Sequence, residues 1–272
     1  MAAKICLVTG ASSGIGHATA LELLRAGHIV YGAARRAYRM GAIREAGGHS
    51  LPMDVTKEED RQRVVRTILD EHQRIDVLVN NAGAVVHGAV EDTPLEMARD
   101  EFEINLFAPA RLIQLVLPQL RRQGSGTIVN VSSIGGELAF PLGAWYYASK
   151  HALEAFSDTL RMETRQFGID VVVIQPGIIK TDFEAGTARQ LREISGNGPY
   201  GLMAEAMARA AETPMDGGPA SDPGVVAAAI RQAVESDRPE TRYVVGWQAE
   251  ALLQLNRSLS DREFDARVTG LA

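Results

Sequence analysis

Cysteine is almost missing from this chain of 272 residues: Cys6 stands alone. No disulfide framework can exist, so the fold must hold itself together through its core. Cys6 lies within the apolar run KICLVTG, where a thiol serves as a small buried hydrophobe. The chain also lacks any uncharged apolar stretch of about 18 residues that could span a bilayer. Its start, MAAKICLVTG, has neither the h-region nor the small-residue cleavage site of a signal peptide. A soluble cytoplasmic protein without a membrane span is therefore expected. Basic runs are missing and the net charge is −6, which leaves nucleic acid no electrostatic footprint. The six histidines lie on separate segments without HExxH or Cys/His spacing, so no metal site is expected. Ser12 and Ser13 lie within the glycine turn GASSG rather than at a G-x-S-x-G nucleophile elbow, which argues against a serine hydrolase. Lysine is scarce as well, at positions 4, 57, 150 and 180 only.

What the chain does have is rhythm. Short apolar runs alternate with segments of helical period: KICLVTG, GHATALELLRAG, HIVYGAAR, a polar helix, HSLPMDV, KEEDRQRVVRTILDEHQR, IDVLVNNAG. The beat continues through a helical stretch from about Pro94 to Arg122, GTIVNVSS, a helix from Trp145 to about Phe167, and IDVVVIQPG. Continuous Val/Ile runs belong to parallel strands covered on both faces, so the alternation predicts an α/β doubly wound fold. With 46% hydrophobic and 23% charged residues, one domain spanning 1–272 is expected. Ligands in such folds sit beyond the carboxyl ends of the strands, and TGASSGIG, MDV, NNAG, SS and QPG each close an apolar run. Residues 181–221, rich in glycine and proline joints, break the rhythm and suit a segment covering the substrate. A helix from Asp222 to about Ser236, the short strand RYVVG and an amphipathic tail follow.

The turn TGASSGIG places Gly10, Ser12, Ser13, Gly14, Ile15 and Gly16 between a strand and a helix. A phosphate can approach bare N–H groups at such a helix start. Its G-x-x-x-G-x-G spacing departs from G-x-G-x-x-G, so a plain tight turn with glycines at positive φ stays open as a reading. At the end of the second strand no acid is present to accept from a ribose 2′-OH; Ala34 is followed by Arg35 and Arg36. A guanidinium suits a 2′-phosphate, which predicts NADP(H), with Arg35 the main contact and Arg36 a second. The alternative is that both arginines only begin a solvated helix. Tyr146 and Lys150 lie four apart where a helix begins, on one face. A phenol with a reference pKa of about 10 acts near neutrality when an adjacent cation stabilises its phenolate. Tyr146 could then exchange a proton with a carbonyl or alcohol oxygen. The competing reading is an aromatic cluster of Trp145, Tyr146 and Tyr147. Ser133, at a strand end thirteen residues earlier, could hydrogen-bond the same oxygen.

TGASSGIG, NNAG and the Ser133, Tyr146-x-x-x-Lys150 set together resemble the motifs of the short-chain dehydrogenase/reductase family, in order and spacing over about residues 4 to 183. The resemblance implies a Rossmann fold with about seven parallel strands and NAD(P)-dependent oxidation of alcohols or reduction of carbonyls. It implies a catalytic set of Asn105, Ser133, Tyr146 and Lys150, with Ser133 and Tyr146 also meeting the substrate. Asn105 is read as the residue that holds a water near the lysine, although a core hydrogen bond is its simpler role. Asp54 and Val55 are matched to the pair beside the adenine, and Asn81, Ala82 and Gly83 to the adenosine ribose and the sheet centre. Tyr146 and Lys150 count among the cofactor contacts, and Pro176, Gly177, Ile179 and Thr181 are matched to the turn that holds the nicotinamide. RYVVG and the long C-terminal extension resemble the steroid- and retinoid-type branch. Apolar residues such as Leu138, Phe140, Leu142, Met203 and Met207 suggest an apolar small-molecule substrate, or simply a lid packed onto the body. A 3-oxoacyl thioester reductase and a dinucleotide-sensing regulator without turnover are the alternatives. Pairing of the two long helices implies a homodimer or homotetramer.

Overall fold

The computed structural model describes residues 2–212 and 219–270. Seven strands build one parallel sheet in the order β3-β2-β1-β4-β5-β6-β7. They are β1 (Ile5–Thr9), β2 (Ile29–Ala34), β3 (His49–Pro52), β4 (Val77–Asn80), β5 (Gly126–Val131), β6 (Ile169–Pro176) and β7 (Arg242–Val245). The strand order reverses between β1 and β4, and that reversal opens a crevice at the carboxyl ends of the strands.

The alternation of side chains along β1 explains the layering. Cys6 and Val8 face one core, under α1 (Gly14–Arg25) and α9 (Pro223–Glu235). Ile5 and Leu7 face the other, under α3 (Glu58–His72) and α5 (Ala108–Gln123). Every residue of β1 is buried, which is why the run reads as continuously apolar. Burial pushes the Cys6 thiol far up from its ordinary range, so it stays an inert hydrophobe.

Three segments differ from the sequence expectation. The polar helix after β2 is reduced to a 3₁₀ turn (Ala37–Arg39) and α2 (Gly41–Glu45). The expected helix from Pro94 to Arg122 is interrupted: α4 (Leu95–Phe102) runs into a π-helical turn (Glu103–Phe107) before α5 begins. The helix expected from Trp145 to about Phe167, α6, spans Ala144–Thr164, and its last turn, Arg165–Phe167, is 3₁₀. Over residues 181–212 lie α7 (Asp182–Ser195) and α8 (Gly201–Glu212), packed on each other; residues 213–218 of the expected covering segment lie outside the described residues. The tail forms α10 (Ala249–Ser258) and α11 (Asp261–Thr269). Among the described residues no helix is long and apolar enough to cross a membrane.

Candidate active site

The first glycine turn is shaped by close approach as well as by φ. Gly10 has φ +68° and Gly14 φ +54°. A Cβ on Gly16 would lie 2.3 Å from Asn81 Nδ2 and 2.6 Å from the Gly10 carbonyl oxygen. The neighbour that fills this space is the NNAG segment. Thr9 Oγ1 accepts from the Asn81 and Ala82 N–H groups, each at 3.0 Å, while Asn81 Nδ2 donates to the Thr9 carbonyl at 2.9 Å. Asn81 therefore braces β1 against β4, and the backbone through Gly83 is held at the crevice. Asn80 donates to Asn130, which donates to Ser157 of α6, each at 2.9 Å, tying the sheet centre to that helix.

Ser13 starts α1 without a side-chain cap, and the helix carries no acid in its first turn. Its amino end faces a cavity of about 810 Å³ lined by Gly10, Ser12, Ser13, Gly14 and Ile15. Arg35 and Arg36 line the same cavity and are exposed. Arg36 lies 3.4 Å from Ser13 Oγ, and Arg35 has no ion-pair or hydrogen-bond partner among the described residues. Uncapped N–H groups, glycines whose Cβ atoms would clash, and two guanidinium groups at one rim suit the phosphates of a dinucleotide. Asp54 and Val55 line the next part of the wall; Asp54 Oδ1 accepts from the N–H and hydroxyl of Thr56.

At the other end, β6 closes in Pro176, Gly177, Ile178 and Ile179, all on the cavity wall with Thr181. A Cβ on Gly177 would meet the Trp247 carbonyl at 2.4 Å, so only glycine lets this turn pass under the tail. Thr181 starts α7 and its Cγ2 would stand 3.3 Å from a Cβ on Gly14, so the two turns nearly touch.

Between these turns lie Tyr146 and Lys150. Helix α6 begins at Ala144, and both side chains reach the cavity. The Lys150 ammonium donates to the Val131 carbonyl at 3.0 Å and lies 5.9 Å from the Tyr146 ring centroid. Burial lowers Lys150 to about 8, against the opposing pull of Glu101 and Glu154. A desolvated cation thus stands behind the phenol. Ser133 lines the same chamber; its Oγ accepts from the Gly135 N–H at 3.0 Å and keeps its own proton for another acceptor. His151 turns away and uses Nδ1 on the Tyr147 carbonyl at 2.8 Å.

Asn105 is not on the cavity wall. It sits in the π-helical turn, buried, where Oδ1 accepts from the Ala84 N–H at 2.8 Å and Nδ2 donates to the Ala84 carbonyl at 3.0 Å and to Ser149 Oγ at 2.9 Å. It ties the strand end after NNAG to the face of α6 beside Lys150. A π turn also shifts the backbone hydrogen-bond register, which frees backbone groups locally.

Two residues at the site were not foreseen. Glu101, one turn before Asn105, is buried and accepts from the Val86 N–H at 3.2 Å and from Asn105 at 3.5 Å; burial raises it to about 8. Its only sequence signal was an acid on the inner face of α4. His87 lines the cavity with its ring centroid 5.8 Å from that of Tyr146. Its signal is a lone histidine in the otherwise apolar AVVHGAV, without metal-ligand spacing.

Leu138, Phe140, Leu191, Met207, Ala210 and Ala211 add apolar surface to the chamber wall, with Thr187 beside them. Leu142 is buried against α7 and α8, while Met203 is half exposed and does not line the cavity.

Compared with known proteins, the chain matches the short chain dehydrogenase family over residues 4–192. It is 40% identical over 180 residues to a probable short-chain type dehydrogenase/reductase of Helicobacter pylori, the match covering 66% of each chain. It thus spans just under two thirds of that relative's length. It is 39% identical over 197 residues to a 3-ketodihydrosphingosine reductase of Bacteroides thetaiotaomicron, covering 72% of this chain and 71% of the relative. A variant actinorhodin polyketide ketoreductase solved with NADPH superposes with a TM-score of 0.76 at 29% identity, over 88% of this chain and 94% of that one.

Proposed function

Because the chain belongs to the short-chain dehydrogenase family, we propose that it is an NADP(H)-dependent oxidoreductase that interconverts a carbonyl and a secondary alcohol on an apolar substrate. The observation that carries this reading is the Tyr146–Lys150 pair opening into the same cavity as the glycine turn and the two arginines. Gly10, Ser12, Ser13, Gly14, Ile15 and Gly16 would receive the pyrophosphate at the start of α1, and Arg35 and Arg36 the 2′-phosphate. Asp54 and Val55 would flank the adenine, and Asn81, Ala82 and Gly83 its ribose. Pro176, Gly177, Ile179 and Thr181 would fix the nicotinamide, and Tyr146 and Lys150 its ribose. When bound, NADPH supplies the hydride that adds to the carbonyl carbon.

The chain's own groups handle the oxygen. Ser133 donates a hydrogen bond to it, and Tyr146 transfers its phenolic proton as negative charge grows there. Lys150, held on the Val131 carbonyl, stabilises the phenolate left behind. A proton from solvent restores the phenol, so one ketone, one NADPH and one proton give one alcohol and NADP⁺. Asn105 anchors the loop and helix that hold this pair. The apolar wall from Leu138 to Met207 supports a hydrophobic substrate, as does the similarity to a reductase of 3-ketodihydrosphingosine. The outer faces of the π-helical turn and α6 carry the exposed Phe107 and Met162, which support pairing into a homodimer or homotetramer.

The test is NADPH oxidation followed by absorbance over a panel of ketones and aldehydes. Tyr146→Phe is expected to reduce turnover by about 10²- to 10⁴-fold. The kcat/KM ratio should favour NADPH over NADH, and Arg35→Ser should lower it. An NADH preference would remove the cofactor assignment, and full activity in Tyr146→Phe the mechanism.

A further inference from the structure

The chamber contains a polar group that no described residue satisfies. His87 is 8% exposed; its Nδ1 is fully buried without a hydrogen-bond partner among the described residues, whereas Nε2, which makes no bond there either, is not fully buried and is the ring nitrogen that a ligand in the chamber can reach. Burial draws the imidazole down to about 4, so at neutral pH the ring is uncharged and offers one donor and one acceptor. Buried polar groups in native proteins are almost always paired, and an unpaired one points to a missing partner.

The position of the ring narrows that partner. His87 follows NNAG by four residues, and its backbone N–H donates to Gln190 Oε1 of α7 at 3.2 Å. The next residues are equally fixed: Gly88 donates to the Leu142 carbonyl at 2.8 Å and Ala89 to Ser195 Oγ at 2.9 Å. The ring itself is wedged between Tyr146, at 5.8 Å, and Tyr147, edge-on at 6.4 Å. It therefore cannot swing out to water without leaving two aromatic contacts and a backbone anchored on both sides. The chamber wall carries hydrocarbon from Leu138, Phe140, Leu191 and Met207, beside the polar Ser133 and Thr187.

We propose that His87 is a specificity-determining residue that hydrogen-bonds a hydroxyl or amino group on the carbon next to the reacting carbonyl, so that the preferred substrates are apolar-chain ketones with such a neighbour. This rests on the oxidoreductase reading above. Tyr146 must meet the carbonyl oxygen, and a ring packed beside Tyr146 reaches the atoms flanking that carbonyl rather than the far end of the chain. A plain ketone would leave the imidazole unpaired in the complex, and a site built to bond a polar substituent discriminates against the analogue that lacks it. The neutral ring accepts from a hydroxyl or an ammonium and donates to a hydroxyl oxygen, so it serves either substituent.

The experiment compares octan-2-one with 1-hydroxyoctan-2-one in NADPH oxidation by the wild type, His87→Phe and His87→Gln. The wild type is expected to favour the hydroxy ketone at least about tenfold in kcat/KM. In His87→Phe, which keeps the aromatic bulk, that ratio should fall toward one through a higher KM for the hydroxy ketone. In His87→Gln, which keeps a donor and an acceptor, most of it should survive. Calorimetry on the wild type with NADP⁺ gives a second readout: octane-1,2-diol should bind at least about tenfold more tightly than octan-2-ol. Equal kcat/KM for the two ketones, equal affinity for the two alcohols, or an unchanged ratio in His87→Phe each overturns the inference and leaves the oxidoreductase reading intact. Reduction of neither ketone and of no other carbonyl in the panel overturns that reading itself.

Discussion

Single atoms decide whether the cofactor turn can exist. A methyl on Gly16 would collide with Asn81 Nδ2 and the Gly10 carbonyl, neither of which can retreat because Asn81 is bonded to Thr9. Gly16→Ala is therefore expected to lose NADPH affinity by at least tenfold and to destabilise the fold by about 1–3 kcal/mol; fluorescence titration and thermal melting measure both. The sequence made this position visible as a glycine in a turn but could not say that close approach matters there more than φ. Lys150 makes a second prediction. Its ammonium is charged below about 8 and loses its proton above, with Glu101 of α4, raised to about 8, and Glu154 of α6 as the acids acting on it. Only the charged form supports the phenolate, so kcat/KM for reduction should fall as pH rises through about 8. Glu101 titrates in the same window, so that limb belongs to the group rather than to one residue. Lys150→Met should abolish the limb along with most of the activity, and Glu101→Gln should move its midpoint. His87, at about 4, adds no limb between pH 5 and 8.

At the scale of elements, what a local pattern encodes was legible and what a partner imposes was not. Strands β1, β4, β5 and β6 were read almost to the residue because burial on both faces leaves an uninterrupted apolar run. The pairing of Tyr146 with Lys150 was legible because helical spacing alone puts i and i+4 together. The π-helical turn at Glu103–Phe107 was not, since its cause lies outside its own sequence: Asn105 reaches across to Ala84 and Ser149. His87 was missed for the same reason, because its neighbours Tyr146 and Gln190 are distant in the chain. Asn105→Ala should uncouple α6 from the NNAG loop, lowering kcat by at least tenfold with a smaller change in the NADPH dissociation constant. Equal losses in both would assign Asn105 to general stability. The two covering helices are joined by charge: Arg192 of α7 bonds Glu205 at 2.8 Å and Glu212 at 2.9 Å, both on α8. Arg192→Ala is expected to raise amide exchange in α8 and substrate KM a few-fold, because exposed pairs contribute modestly. An unchanged KM would separate this clamp from substrate binding.

Over the whole molecule, the tail packs behind the wall of the chamber that Ile134, Leu138 and Phe140 form. Phe264 of α11 and Leu253 of α10 share a cluster with Ile134 and Leu138, and Phe140 packs against it. Arg257 pairs with Glu137 at 2.7 Å, while Asn256 donates to the Glu137 carbonyl at 3.2 Å. Glu137 in turn accepts from Gln175 of β6, so the loop after Ser133 is fixed from the sheet and from the tail together. The end proposed for the dinucleotide has no such dependence, since Gly10–Gly16, Arg35 and Asn81 adjoin the ends of β1, β2 and β4. Substrate and cofactor binding should therefore respond differently to damage in the tail. Phe264→Ala empties a buried site and is expected to destabilise the protein by about 3 kcal/mol. At a temperature where it remains folded, its ketone KM should rise several-fold while the NADPH dissociation constant stays within a factor of about two, because the glycine turn at Gly10–Gly16 lies outside the cluster that holds Phe264. A parallel rise in both constants would show that the tail supports the sheet as a whole rather than the loop that carries Ser133.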